Sequence, residues 1–133
     1  MFNQISPRPV SNPAPILYLG DTSLDSAACY LAGVMAYRKL GFDYFSGVHP
    51  LGVDQIKGKR DLYIISDFMA ERLRHEALEY LLQQIRSGAG LLMIGGWESF
   101  CGLGGNWAGT AIAAALPVEI STRDDRINFD QVA

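Results

Sequence analysis

Four short apolar runs, with helical stretches between them, constrain the fold more than any other feature of this chain. Ile16–Gly20 (ILYLG) is nearly continuous in apolar residues, and Asp61–Phe68 (DLYIISDF) and Gly90–Gly95 (GLLMIG) are mostly so. Phe42–Ser46 (FDYFS) alternates aromatic and polar residues. Short apolar runs of this kind suit strands buried on both faces, as in a parallel sheet. Leu24, Ala27, Ala28, Leu31, Val34 and Met35 recur at helical spacing after the first run. Leu73, Ala77, Leu81, Leu82 and Ile85 do so within Glu71–Ser87. Strands alternating with helices predict an α/β domain with helices on both faces of a parallel sheet. With right-handed crossovers, strands near 16–20, 42–46, 61–67 and 90–95 take the spatial order 2-1-3-4.

Local signals place the boundaries. Thr22 with Asp25 fits the [ST]-x-x-[DE] capping pattern and starts the first helix. Arg38 and Lys39 suit the negative end of its macrodipole, and Gly41 is its expected stop. Gly88 ends the second helix. Gly47–Arg60 reads as a loop with His49-Pro50 and the basic residues Lys57, Lys59 and Arg60. This direct link is the severest test of the topology, because a parallel pair needs a crossover. Residues 107–115 read as a short helix starting near Thr110, and Leu116–Ile120 (LPVEI) as a fifth strand that Pro117 confines to an edge. Residues 1–15, with Pro7, Pro9, Pro13 and Pro15, form an extended arm. The α/β domain spans 16–120, and 121–133 is a polar tail.

The 133 residues suit one domain, and 49% hydrophobic against 19% charged residues allow a core. A net charge of −3 argues against a nucleic-acid surface. No apolar run reaches a membrane span, and the first fifteen residues lack the apolar region of a signal peptide. Cys29 and Cys101 are too few for a disulfide framework, so a cytoplasmic location is the expectation. No His or Cys pair has metal-ligand spacing, and neither a metal nor a cofactor is expected.

The stretch Leu91–Thr110, LLMIGGWESFCGLGGNWAGT, bears most on function. Taken with Leu19–Asp21 after the first strand, DLYIISDF, RSGAGLLMIGGWESF and the later GT and LPVEI, it resembles the class I glutamine amidotransferase-like proteins. More narrowly, it is similar to their cytoplasmic branch of unassigned activity. The resemblance covers roughly 16–127 and implies a flavodoxin-like three-layer α/β sandwich with a mainly parallel sheet. Most members are clearly longer, so the resemblance implies an N-terminal portion ending soon after LPVEISTRDDR. Amidotransferases of this class carry a cysteine at a G-x-C-x-G elbow after a strand, with a histidine and a carboxylate later. Here the elbow reads Ile94-Gly95-Gly96-Trp97, and no histidine follows Cys101.

In parallel α/β folds, ligands bind outside the carboxyl ends of the strands. Asp21, Thr22, Asp67, Gly95, Gly96, Trp97, Glu98 and Ser99 all follow strand ends, and are the candidate ligand-binding residues. Each also has a plain structural reading. Asp21 suits turn or cap chemistry. Gly95 and Gly96 suit a turn at positive φ, or close approach of backbone to a ligand. Trp97 and Trp107 suit loop packing or a ligand platform. Glu98 and Ser99 orient a polar substrate or cap the turn. Cys101 is the one candidate nucleophile, with no His, Lys or Arg near it in sequence to activate it. Cys29 reads as core, His49 as a loop residue and His75 as a solvated helix residue. Gly102-x-Gly104-Gly105 lacks the Lys-Ser/Thr of a phosphate loop.

Three functions follow. The first is a non-catalytic module binding an unknown small molecule or a partner chain. The second is a hydrolase or amidotransferase using Cys101 or groups from another chain. The third is a nucleotide or flavin module on the same topology. An uncovered edge near Leu116–Ile120 would favour a homo-oligomer.

Overall fold

The computed structural model describes residues 12–123. Four strands, β1 (Ile16–Gly20), β2 (Phe42–Ser46), β3 (Leu62–Ser66) and β4 (Gly90–Ile94), form one all-parallel sheet in the order β2-β1-β3-β4. β1 is buried throughout because it has a neighbour on each side and a layer on each face. Ile16, Tyr18 and Ile64 face helix α1 (Cys29–Tyr37), packing on Ala28 and Met35. Leu17, Leu19, Tyr63 and Ile65 face the other way, onto α2 (Val53–Ile56), α3 (His75–Arg86), Trp107 and Ile112. Adjacent strand residues point to opposite faces, so one continuous apolar run supplies both cores. The result is the three-layer α/β arrangement, with both faces of the sheet in use.

The 47–60 link works because β1 lies between β2 and β3. It is not a bare loop. Leu51 bridges to Leu73, exchanging hydrogen bonds with Arg72 and Arg74, and α2 buries Ile56. Gln55 Oε1 accepts the Gly52 N–H at 2.9 Å and fixes the start of α2. Arg60 is not a surface cation as its neighbours are. Its buried guanidinium pairs with Asp43 at the start of β2 and donates to the Ala14 carbonyl at 2.6 Å. That clamp joins the amino ends of β1, β2 and β3.

Several boundaries differ from expectation. α1 starts at Cys29, with Ala28 before it and no side-chain cap. Backbone bonds from Ser26 N–H to the Ser23 carbonyl and from Cys29 N–H to the Ser26 carbonyl hold turns there, next to Asp21. The Asp21 carboxylate takes the Thr22 N–H at 2.5 Å and the Ser26 hydroxyl at 3.5 Å, and residues 24–28 turn locally before the helix begins. Lys39, not Gly41, ends α1. It adopts φ 57°, and the next N–H, of Leu40, returns to the Met35 carbonyl. Gly88 does end α3, at φ 109°. α3 itself begins at His75, after a 3-10 turn at Ala70–Arg72. Leu116–Ile120 forms no strand, and the helical segment before it is a single 3-10 turn, Ala113–Ala115. Pro117 lacks an N–H for a ladder, which removes the pairing a short edge strand depends on. Among the described residues, β4 is therefore an edge strand, with Leu92 exposed. Cys29 is exposed rather than core. Most of the Pro-rich arm and of the polar tail lies outside the described residues. No helix among the described residues is long and apolar enough to cross a membrane.

Candidate functional site at the carboxyl edge of the sheet

All four strands run the same way, so Ser46, which ends β2, and Asp21, Asp67 and Gly95–Ser99, which follow the other strand ends, lie on one edge. β1 and β3 are adjacent there although their connections leave in opposite directions, to β2 and to β4. This is the switch point where doubly wound sheets open a crevice. Asp21 and Asp67 stand on its two sides.

The turn after β4 is built on Asp67. This residue adopts φ 52°, a left-handed conformation uncommon outside glycine. The conformation is held from three directions. The Asp67 N–H donates to Ser99 Oγ at 2.9 Å, Ser99 Oγ donates to the Ile94 carbonyl at 2.7 Å, and Asp67 Oδ1 accepts the Glu98 N–H at 2.6 Å. Ser99 is buried, so its hydroxyl fastens the turn and is not offered to a ligand. Gly95 and Gly96 are not at positive φ, contrary to expectation. Gly96 is needed for space: a Cβ there would lie 2.7 Å from Asp67 Oδ1. The Asp67 carboxylate thus fills the volume into which a side chain at position 96 would project.

Glu98 is half-exposed, and its carboxyl pKa is raised by burial first, then by the charges of Asp67 and Asp21. The three carboxylates therefore share one field. Tyr18 and Tyr44 border it. The two rings meet edge to face with centroids 5.1 Å apart, and Tyr44 folds over Gly20 to donate to the Asp21 carbonyl at 2.7 Å. Burial raises both phenol pKa values, so both remain neutral donors at ordinary pH. Tyr44 escaped the sequence reading. Its signal was the register that pairs Phe42–Ser46 with Ile16–Gly20, which sets an aromatic ring near a glycine.

A cavity of about 370 Å³ adjoins this edge on its β2 side. Thr22, Ser23, Ser46 and His49 supply its polar groups, and Leu24, Tyr44 and Phe45 its apolar wall. Of the sequence candidates, only Thr22 lines it. Trp97 is 63% exposed beyond β4, whereas Trp107 is core, its indole N–H donating to the Phe68 carbonyl at 2.8 Å. Cys101 is half-exposed in the coil after β4. His49 follows β2 and His75 opens α3, and neither imidazole hydrogen-bonds the thiol. No group of three His, Cys, Asp or Glu among the described residues could hold a metal ion.

Residues 39–133, more than half of the chain, match the GATase1_like family, described as "Putative glutamine amidotransferase". The chain belongs to this family. No curated protein matches it. Family membership agrees with the parallel sheet and its two helical layers.

Proposed function

We propose that this chain is a binding member of the glutamine amidotransferase-like family. It takes a small neutral or cationic polar molecule at the carboxyl edge of the sheet and does not hydrolyse glutamine. One observation carries this reading: the Asp67 carboxylate fills the elbow beside Gly96 and is held there by the Glu98 N–H. An acyl-transfer nucleophile needs a free side chain at that point and a base to activate it. The hydroxyls of Thr22, Ser23 and Ser46 and the His49 imidazole contact the ligand in the neighbouring cavity. Asp21, Asp67 and Glu98 lie along the edge that this cavity adjoins and set its charge without lining the cavity.

The charge of the edge sets the ligand class. Asp21, Asp67 and Glu98 repel a phosphate and attract an ammonium or a hydroxyl donor. This weighs against the nucleotide or flavin reading. A thermal-shift panel followed by calorimetry tests it, since a ligand that binds only the folded state raises the melt. Amines, amino-acid amides and polyols are expected to raise it. Asp21→Asn and Ser46→Trp, which removes a charge and fills the cavity, are expected to abolish the effect. A response to AMP or FMN alone would refute the proposal.

A further inference from the structure

We propose that α1 is a homodimerisation helix that pairs antiparallel with α1 of a second copy of this chain. The helix is apolar all round. From Ala27 to Tyr37 there is no charged side chain. Its inner stripe, Ala28, Ala32 and Met35, is buried on the sheet. Its outer stripe carries Tyr30 at 81%, Val34 at 58% and Tyr37 at 85% exposure, extended at either end by Leu24 and Leu40. A helix in water normally turns a polar face outward, and one that is apolar on both faces is normally covered on both. Gly33 lies between Tyr30 and Val34, and a Cβ there would meet nothing within 4 Å, so a second backbone can approach closely.

Charge selects the occupant and its direction. Ahead of α1 stand Asp21 and the exposed Asp25, and behind it stand the exposed Arg38 and Lys39. The Ser23 hydroxyl lowers the Asp25 pKa, so Asp25 is ionised at neutral pH. Two copies side by side and parallel would set like charges together. Rotated by a two-fold axis near Gly33 and Val34, they set the acidic end of each helix, with Asp25, toward the basic end of the other, with Arg38 and Lys39. The same rotation stacks Tyr30 on the partner's Tyr37. The nine residues of α1 span about 13 Å, so in this alignment each end of the helix falls opposite the other end of its partner. A two-fold contact of this kind is isologous and closes at the dimer.

Sedimentation of the full chain across a dilution series reads the monomer–dimer balance. A dimer forming with concentration is expected, and a monomer at the highest concentration reached would overturn the proposal. Val34→Glu is expected to abolish the dimer while keeping the cooperative melt, because Val34 lies outside the core. Tyr37→Ser gives the same reading should Val34→Glu fail to fold, and a dimer that survives either folded variant overturns the proposal. Asp25→Lys alone, and Arg38→Glu with Lys39→Glu, should each weaken association about fivefold to tenfold, since every exposed pair occurs twice by symmetry. Combining all three substitutions should restore it. A combination weaker than either part would overturn the antiparallel register.

Discussion

Gly96→Ala probes the packing at the elbow. The added Cβ would sit 2.7 Å from Asp67 Oδ1 and 2.8 Å from its Cγ, so the carboxylate must move. Moving it breaks the 2.6 Å bond from the Glu98 N–H. A charge-assisted hydrogen bond contributes about 1.5–3 kcal/mol, and relieving a clash in a packed site costs about 1–3 kcal/mol. Gly96 is exposed and Asp67 half-exposed, so the lower ends apply, and the expected loss is about 2 kcal/mol. For a chain of this size that lowers the melting temperature by roughly 8 °C. A double-mutant cycle isolates the cause. Asp67→Ala already forfeits the bond and clears the carboxylate, so Gly96→Ala on that background should cost about 2 kcal/mol less than on the wild type. Chemical denaturation of the four proteins measures the cycle. Costs that add to within about 0.3 kcal/mol would refute the claim that Asp67 fills the elbow.

Three further substitutions test neighbouring parts of the account. Ser99→Ala leaves the Asp67 N–H and the Ile94 carbonyl without their shared partner and should cost about 2 kcal/mol in denaturant. Tyr63→Phe removes a buried hydroxyl that has no hydrogen-bond partner among the described residues, so its melt should equal or exceed the wild type. Glu98→Gln tests the shared carboxylate field. The folded-state pKa of Glu98 lies above its ordinary 4.5, so the folded protein holds the proton more tightly than the unfolded chain. Its contribution is present below pH 4.5 and is lost as pH rises through the raised value. The melting temperature of Glu98→Gln minus that of the wild type should therefore grow with pH across that window, and a flat difference would contradict the field.

The sheet was legible because its strands are short apolar runs that feed two cores at once. Leu17 and Leu19 pack on one face while Ile16 and Tyr18 pack on the other, and few other structures satisfy that pattern. Parallel strands then place Asp21, Asp67 and Gly96 on one edge without further information. What escaped the reading depends on interactions between distant segments. The left-handed Asp67 is held by Ser99 and Glu98, and nothing in DLYIISDF announces it. The late start of α1 reflects the backbone turns closed by the Ser26 and Cys29 N–H groups, in place of the Thr22–Asp25 capping pattern. Leu116–Ile120 has the composition of a strand but no neighbour to pair with among the described residues. Cys29 sits in an apolar stretch yet faces outward, because spacing alone cannot say which side of an all-apolar helix meets the sheet.

Ammonia release from glutamine by the full chain, with Cys101→Ala alongside, tests the central claim most directly. Gly96 lies against the Asp67 carboxylate, and among the described residues no imidazole hydrogen-bonds the Cys101 thiol. Removing a member of a catalytic triad costs several orders of magnitude in rate, so release by both proteins should stay at the uncatalysed level. Release above that level from the wild type, lost in Cys101→Ala, would contradict the account.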